Sequence, residues 1–355
     1  MILKDRVIAL GFFDGVHTGH TALLKKTVEV SYETGLIPSV MTFNTHPANI
    51  IYGKALPLIT SYEDRVGLIY RAFGIDDVIM LQFDKKTAEM PWDAFIDRLL
   101  DDHGARCLIA GFDFRFGRGG AGSPELLVKK CVELNIGCEI IPEVTYNGIT
   151  VSSTLIRDLL TTGDLDQANK LLGHPHVLTG VVRSGSQLGR TMGIPTINMR
   201  FGDGVIAPSF GVYATRVYLI PEPVYTAGGI RTGGDVKAGG DDKNRINRSG
   251  DDCLQYNNGA GEDCYYGVTN IGVRPTVGNS TYITAETHIF DYCGDLYGKT
   301  TRIEFYKHLR AEVRFNGLGE LKAQMQQDCD NARLVFKESG DRERLFNDYY
   351  DVMGC

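Results

Sequence analysis

Strand-like and helix-like segments alternate through the N-terminal half of this chain, and this alternation restricts its fold more than any other feature. The apolar runs "RVIALGFF", "IPSVMTF" and "RCLIAGFDF" are typical of buried strands. Amphipathic stretches such as "SYEDRVGLIYRAFG" lie between them and predict helices, here with Ser61 or Thr60 as the N-cap and Gly74 at the end. Because crossover helices join parallel strands, the alternation predicts a parallel sheet with helices on both faces.

The pattern changes near "LLGHPHVLTG". From Val177 to about Arg310 the chain consists mostly of short β-rich runs separated by polar turns, which predict a small antiparallel β-barrel. The stretch "LGELKAQMQQDCDNARLVFKE" then predicts a helix. The fold class is therefore α/β plus β, with domains expected over residues 1–172 and 177–337 and a helical tail over 338–355.

Residues 226–263 depart from both patterns, because they are rich in glycine and charge and nearly lack large aliphatic side chains. Such a segment cannot bury enough apolar surface to offset the entropy lost on ordering. We expect a flexible insertion between two strands. Its acidic residues do not have the spacing of an EF-hand calcium loop.

Composition and charge limit the classes of binding partner that are expected. The net charge of −7 provides no overall attraction to nucleic acid or to anionic lipid, so a phosphate-bearing ligand needs a local binding arrangement. The eight cysteines form no C-x-x-C pair and are expected to be reduced thiols. Neither a signal-peptide pattern nor an apolar run of membrane-spanning length is seen. We expect a cytoplasmic protein without nucleic-acid or membrane partners.

The segment "GFFDGVHTGH" stands where the first strand should end and the first helix should begin. Ligands of open parallel sheets bind beyond the carboxyl ends of the strands, where helix N-termini offer unpaired amides that suit phosphate. Gly15 and Gly19 allow a close backbone approach, and His17 and His20 lie three residues apart on the expected helix. The imidazoles are expected to donate hydrogen bonds to phosphoryl oxygens.

A second glycine-rich segment, "GVVRSGSQLGRTMGIPTINM", contains no Walker A motif. Its glycines can still expose successive amides to an anion, and Arg190 adds a positive charge. Thr196 and Asn198 alternate onto one face of the following strand, and their oxygens suit magnesium that phosphates also hold. Judged on these residues alone, a glycine-rich hairpin with two polar strand residues is the favoured alternative.

Several motifs in order resemble one family. "GFFDGVHTGH" resembles the His-x-Gly-His signature of nucleotidyltransferases. "VSSTLIRDLLTTGDLDQANKLLGHPHVLTGVV", "AGFDFRFGRGGAG", "GRTMGIPTIN", "YYGVTNIGVRPTVG" and "ETHIFDYCGDLYG" resemble segments of bacterial bifunctional riboflavin kinase/FAD synthetases. The resemblance runs from about Val7 to Leu334, apart from the insertion. It implies an N-terminal Rossmann-like nucleotidyltransferase domain and a C-terminal riboflavin kinase-like barrel.

For the first domain, the resemblance implies transfer of an adenylyl group from ATP to FMN, which yields FAD and pyrophosphate. It gives the catalytic roles to His17, His20 and Arg157. The implied ligand-binding residues are Gly11, Phe13, Asp14, Gly15, Gly19, Asp113, Phe116, Ser153 and Thr154. A helix N-cap at Ser153–Thr154, a surface charge at Arg157 and an ordinary strand-end loop at Asp113 and Phe116 stay open as alternatives.

For the second domain, the resemblance implies phosphorylation of riboflavin to FMN by ATP. Glu286 is the implied general base, and Thr196 and Asn198 are the implied Mg²⁺ ligands. The implied ligand-binding residues are Gly185, Gly189, Arg190, Gly193, Arg274, Arg310 and Phe315. His288 is expected to be structural, and Arg310 and Phe315 have ordinary cap and core roles as alternatives.

Two departures from the family pattern are visible. The run "FNTHP" has Asn44 where the family has an acidic residue and Thr45 where it has proline, and Ile197 replaces an alanine. The rival interpretations are another His-x-Gly-His transferase fused to a barrel, and a flavin-binding regulator with one inactive half. A homo-oligomer stays open.

Overall fold

A computed structural model describes residues 4–53, 55–185, 189, 193–220, 224–226, 229–231, 256–257, 263–275 and 281–338. The chain divides into two compact units. The first contains Met1–His174 and Gly202–Ile206, and the second contains Pro175–Phe201 and Ala207–Arg342. Among the described residues, no helix has both the length and the apolar character that crossing a bilayer requires.

The first unit contains a five-stranded parallel sheet in the order β3-β2-β1-β4-β5, as the strand–helix alternation predicts. Its strands are β1 (Arg6–Leu10), β2 (Ile37–Phe43), β3 (Asp77–Leu81), β4 (Ala105–Gly111) and β5 (Gly137–Ile141). The chain builds outward from β1 to β3 and then crosses back to β4 on the other side of β1. This reversal between β1 and β4 opens a crevice at their carboxyl ends, the usual ligand position in such sheets.

Eight helices are described in the first unit. They are α1 (Thr18–Thr34), α2 (Pro47–Tyr52), α3 (Tyr62–Phe73), α4 (Lys85–Ala88), α5 (Trp92–His103), α6 (Pro124–Glu133), α7 (Ser153–Thr162) and α8 (Leu165–Leu172). The Ser61 hydroxyl caps α3 by accepting from the Asp64 amide, and Gly74 ends that helix in the left-handed conformation. Between β5 and α7, the strands β6 (Thr145–Tyr146) and β7 (Ile149–Thr150) form a hairpin.

The core of the first unit forms because β1 and β4 turn apolar side chains toward the helices. Ile8, Leu10 and Leu108 are buried against Leu99 of α5 and Leu127 of α6. Burying a side chain of this size contributes about 1.5–3 kcal/mol. The central strands are thereby held rigidly beneath the crevice at their ends.

The second unit is an antiparallel sheet in the order β8-β16-β10-β14-β15-β9. Its strands are β8 (His176–Val181), β9 (Ile197–Arg200), β10 (Gly211–Leu219), β14 (Asp263–Pro275), β15 (Thr281–Ile289) and β16 (Thr300–Ala311). Just beyond β8, the Arg183 amide donates to the Asn198 carbonyl of β9 at 2.8 Å. This contact joins the two edges, so the predicted small barrel is confirmed and is nearly closed.

The helix α9 (Leu318–Glu338) packs against the barrel. Its Cys329, Ala332 and Phe336 are buried with Val212 and Ala214 of β10. Residues 339–355 lie outside the described part, and the helical tail predicted over 338–355 stays a prediction, as do the domain limits.

Most of the insertion expected over residues 226–263 lies outside the described residues. Its described residues belong to strands. β11 (Val224–Thr226) pairs with β12 (Gly229–Arg231), and β13 (Tyr256–Asn257) pairs with β14. The flexibility expected for the rest of this segment is a prediction.

Candidate active sites

A cavity of about 360 Å³ lies at the carboxyl ends of β1 and β4 in the first unit. Gly11 directly follows β1 and Gly111 ends β4, and both line the cavity. The residues that the sequence predicts and that line it are Gly11, His17, Gly19, His20, Asp113 and Ser153. The crevice predicted from the sheet topology and the cavity therefore coincide.

His17 and His20 are stacked on each other, with ring centroids 3.6 Å apart and an interplanar angle of 16°. The sequence predicts both histidines on the helix, but only His20 lies on it. The helix α1 begins at Thr18, and His17 is its N-cap in an extended conformation. The Nδ1 of His17 accepts a hydrogen bond from the His20 amide at 3.3 Å. The proton of a neutral His17 ring must then be on Nε2, which leaves that nitrogen as a donor.

Burial keeps both rings neutral. It lowers the pKa of His17 to about 3, and the neighbouring His174 and Arg157 lower it further. The pKa of His20 is also well below its ordinary value because of burial and the adjacent His17. At neutral pH the pair therefore presents N–H donors without a net positive charge.

Two glycines beside the histidines pack closely against aromatic rings. A β-carbon added to Gly19 would lie 3.0 Å from the His17 ring, and one added to Gly11 would lie 3.0 Å from the Phe13 ring. The Phe13 side chain is fully buried, and its ring centroid is 5.1 Å from that of His20. Phe13 thus packs against the His20 ring and does not line the cavity.

Asp14 and Arg157 form an ion pair beside the cavity. The Asp14 carboxylate, 1% exposed, accepts from the Ile59 and Thr60 amides at 2.9 and 3.1 Å and from Arg157 Nη2 at 2.6 Å. Arg157 Nε also donates to the Pro57 carbonyl at 2.8 Å. Arg157 does not line the cavity. Five other residues that were predicted as ligand contacts also lie outside its lining: Phe13, Asp14, Gly15, Phe116 and Thr154.

The three residues of the "SST" segment, Ser152, Ser153 and Thr154, have different environments. Ser152 is the N-cap of α7, where its hydroxyl accepts from the Leu155 amide. The Ser153 hydroxyl donates to the Asp14 carbonyl at 3.1 Å and lines the cavity, whereas Thr154 is exposed on the helix. The N-cap interpretation therefore applies to Ser152, and both Ser152 and Ser153 line the cavity.

Aromatic side chains that the sequence analysis misses form much of the cavity wall. Phe12, Phe112 and Phe114 line it, and Phe112 is 46% exposed. Phe116, which was selected instead, stacks on Phe114 at 5.3 Å but is 6% exposed and belongs to the core. The alternation in "FDFRF" was the available signal, but it cannot tell which ring reaches solvent.

The altered run "FNTHP" connects β2 to α2 next to the cavity. Asn44 Oδ1 accepts from the Phe83 amide at 3.0 Å, and His46 Nδ1 accepts from the Ala48 amide at 3.1 Å as the N-cap of α2. Phe43 and Pro47, on either side, line the cavity. The Asn44 side chain therefore accepts a hydrogen bond from a backbone amide, and its amide oxygen does so without a negative charge.

A second cavity, of about 630 Å³, lies in the second unit. It brings together five predicted residues: Gly189, Thr196, Glu286, Arg310 and Phe315. Its other lining residues were not predicted as ligand contacts: Val212, Val268, Asn270, His288, Glu312, Val313, Arg314, Leu321, Met325 and Asp328. The lining therefore combines charged groups with an apolar wall from β10, β14 and α9.

Thr196 and Asn198 have the chemistry of a magnesium site. Thr196 lines the cavity just before β9, and Asn198 pairs with Glu286 across β9 and β15. The Asn198 side chain is buried, and among the described residues its Oδ1 has no hydrogen-bond partner. A β-carbon on Gly185 would fall 2.3 Å from Asn198 Nδ2, so a larger residue there would displace the Asn198 side chain. An unsatisfied buried oxygen beside a hydroxyl suits a hard cation.

No cluster of three His, Cys, Asp or Glu side chains with metal-binding geometry is present in the described part of the chain. A hydroxyl and an amide alone bind Mg²⁺ weakly, because this ion is usually held by one or two carboxylates together with phosphates and water. The donor set at Thr196 and Asn198 therefore fits a cation that arrives with a phosphate ligand.

His288 and Arg310 are engaged with their surroundings. His288 Nδ1 donates to the Pro195 carbonyl at 2.8 Å, the peptide that precedes Thr196. Arg310 donates from Nε and Nη2 to the two carboxylate oxygens of Asp328 at 2.8 and 2.7 Å, and its guanidinium is 5.8 Å from the Phe315 ring centroid. His288 thus has the structural hydrogen bond expected for it, and Arg310 joins β16 to α9 at the cavity wall.

The remaining predicted contacts of this unit are only partly visible. Gly193 has a φ of 79° and does not line the cavity. Arg274 lies in β14 with only its backbone described. Arg190 lies outside the described residues. Their proposed ligand contacts stay predictions.

Comparison with known proteins adds independent information. The FAD synthetase family model matches residues 1–155, and the riboflavin kinase family model matches residues 172–336. The bifunctional riboflavin kinase/FMN adenylyltransferase of Bacillus subtilis (strain 168) is 31% identical over 334 residues, 93% of this chain and 92% of that protein. The protein of the same name from Escherichia coli (strain K12) is 33% identical over 332 residues, 93% of this chain and 92% of that protein.

A solved structure is similar over nearly the whole chain. It is described as a macrolide-efflux protein from Streptococcus pneumoniae and is 25% identical, with a TM-score of 0.71 and coverage of 93% of this chain and 94% of that one. Its overall architecture is thus shared with this chain.

Proposed function

Because this chain belongs to the bifunctional riboflavin kinase/FMN adenylyltransferase family, we propose that it makes FAD from riboflavin in two steps. The second unit phosphorylates riboflavin to FMN with ATP. The first unit transfers the adenylyl group of a second ATP to FMN, which releases pyrophosphate. The observation that carries this proposal is that each family match falls on a unit with its own cavity, lined by motif residues of that family.

In the first unit, a phosphate oxygen of FMN attacks the α-phosphorus of ATP and pyrophosphate leaves. Neutral His17 and His20 donate N–H groups to phosphoryl oxygens, where negative charge increases in the transition state. Their buried, stacked arrangement supports this role, because donors held in place need no reorganisation during the reaction. Arg157 acts through Asp14 in this proposal, since its guanidinium is already bound to that carboxylate.

In the second unit, the 5′-hydroxyl oxygen of riboflavin attacks the γ-phosphorus of ATP and ADP leaves. Glu286 accepts the hydroxyl proton, a role that its position in the cavity supports. Thr196 and Asn198 hold Mg²⁺, which neutralises phosphate charge when it is bound. The apolar wall from Val212, Leu321 and Met325 suits a flat aromatic ring system.

Incubation of the protein with riboflavin, ATP and Mg²⁺, followed by separation of riboflavin, FMN and FAD over time, tests the proposal. We expect FMN to form first and FAD to follow. Turnover of other phosphate acceptors, with none of riboflavin, would favour a different transferase fused to a barrel. Binding of FMN with no turnover in one of the steps would favour a flavin-binding regulator.

We also propose that the protein is cytoplasmic, and a homo-oligomer stays open. The described cysteines, Cys107, Cys131, Cys138, Cys264, Cys293 and Cys329, are all free thiols, which supports the cytoplasm as the location. Cell fractionation tests this proposal. Sedimentation velocity of the purified chain decides between a monomer and a homo-oligomer.

A further inference from the structure

The loop that leads into the histidine pair has an unusual backbone. Phe13, Gly15 and Val16 have φ values of 55°, 79° and 42°. Positive φ is uncommon for residues other than glycine, and for a β-branched residue such as Val16 it is a true outlier. Such strain persists only where the surrounding structure determines the conformation, and it is concentrated at functional sites.

Hydrogen bonds from distant parts of the first unit hold this loop. The Gly15 amide donates to Thr60 Oγ1 at 3.1 Å, and the Asp14 carbonyl accepts from Ser153 Oγ at 3.1 Å. The Gly15 carbonyl is 2.9 Å from His174 Nε2. Because a carbonyl oxygen can only accept, His174 must carry its proton on Nε2.

His174 is placed by the end of α8. Gly173 ends that helix with a φ of 79°, and the following His174 side chain is 1% exposed. Leu172 of the same helix also touches the loop: a β-carbon on Gly15 would lie 3.1 Å from its Cδ2 and 3.0 Å from Ile59 Cγ2. The loop is therefore enclosed, and His174 binds the peptide at its centre.

Gly15 lies two residues before His17 in the sequence. Val16 follows it in a left-handed conformation, and His17 then takes the extended conformation that caps α1 and stacks on His20. The Gly15 carbonyl belongs to the peptide bond that leads into Val16, one residue before His17, so a change in its orientation would shift the backbone that carries the His17 ring. The His174 ring also contributes, after burial, to the low pKa of His17.

We propose that His174 is a positioning residue for adenylyl transfer, which acts by binding the Gly15 carbonyl and so directs His17 into the cavity. This inference rests on the proposed adenylyltransferase activity of the first unit. His174 does not line the cavity, so it acts through the loop and not on the substrates.

The test uses the full-length chain with the substitutions His174→Ala and His174→Gln. We expect His174→Ala to lower kcat for FAD formation from FMN and ATP about 10- to 100-fold with little change in either KM, because a small displacement of a catalytic group has this effect. His174→Gln should recover most of the lost kcat, since its amide N–H can donate to the same carbonyl.

Two controls separate positioning from general stability. Asp164→Ala removes the N-cap of α8, where the carboxylate accepts from the Gln167 amide, and leaves the loop contacts intact. It should lower thermal stability but keep kcat for FAD formation. Riboflavin phosphorylation by each variant serves as the internal reference and should stay at the parent rate.

The outcomes are distinct. An unchanged kcat in His174→Ala, or equal losses in the alanine and glutamine variants that match the loss in Asp164→Ala, would overturn the inference. A parent chain that makes no FAD from supplied FMN would overturn the proposed function and this inference with it.

Discussion

Arg157 Nη2 lies 2.6 Å from Asp14 Oδ2, and 143 residues separate the two in sequence. Both side chains are largely buried, at 11% and 1% exposure. Asp14 belongs to the loop before the histidine pair and Arg157 to α7, so the ion pair connects the "GFFDGVHTGH" segment to the "VSSTLIR" segment. The Arg157 guanidinium, for which the family resemblance implies a catalytic role, is bound to a carboxylate of the protein.

We therefore expect Arg157→Ala to destabilise the first unit by about 3–5 kcal/mol, because it leaves a buried carboxylate without its partner. Arg157→Lys should recover only part of this loss, since lysine cannot reproduce the planar donor fork. Urea denaturation of Arg157→Ala, Asp14→Asn and the double variant measures the coupling. Additive losses in the double variant would show that the two residues stabilise the unit separately.

The histidine pair should be required for FAD formation but not for FMN formation. Replacing His20 by alanine removes a donor and the ring that stacks on His17, and we expect kcat for FAD formation to fall about 10²–10³-fold. The comparison variant is His103→Asn, at the end of α5 and away from the cavity lining. FAD formation at the parent rate by His20→Ala would refute the assignment of this site.

Acid should destabilise the first unit through the same histidines. The folded state holds His17 neutral down to a pKa of about 3, whereas the unfolded chain binds a proton near pH 6.5. The unfolded state then binds more protons below pH 6.5, so this contribution to stability is complete above that pH and is lost as the pH falls toward 3.

Each such histidine changes the free energy of unfolding by at most about 1.4 kcal/mol per pH unit in this window. The substitution His17→Asn removes the titrating ring and keeps an oxygen that can cap α1. Urea denaturation between pH 7 and pH 5 should give a smaller pH slope for this variant than for the parent. Identical slopes would contradict the assignment of a depressed pKa to His17.

Glu286 should affect only the kinase step. Glu286→Gln keeps the size of the side chain and removes its basicity, so we expect kcat for riboflavin phosphorylation to fall about 10²–10⁴-fold. FAD formation from supplied FMN by the same variant is the matched control and should be unchanged. Full kinase turnover in this variant would exclude Glu286 as the general base.

Asn198 should set the magnesium requirement of the kinase. Asn198→Ala removes the buried Oδ1 that has no hydrogen-bond partner among the described residues. We expect the Mg²⁺ concentration for half-maximal riboflavin phosphorylation to rise about tenfold or more, since ligand loss weakens a site that has few protein donors. The Mg²⁺ dependence of FAD formation by the same variant should not change, and an unchanged dependence of both steps would argue against this ligand.

The sequence alone was sufficient for the class of both units and for main elements such as the helix α3. Ser61 begins α3 and Gly74 ends it as the local pattern predicts. These features depend on neighbours within a few residues, because strand and helix periods and helix caps are local properties. The crevice beyond β1 also follows, since parallel sheets with crossover helices place it there.

Only the tertiary structure decided which side chains reach each site. It turned Phe112 and Phe114 toward the cavity and Phe116 into the core, bound Arg157 to Asp14, and brought His174 to a carbonyl 159 residues away in the chain. The reason is physical: a contact over such a separation exists only after helices and strands have packed, and a motif of a few residues contains no information about that packing.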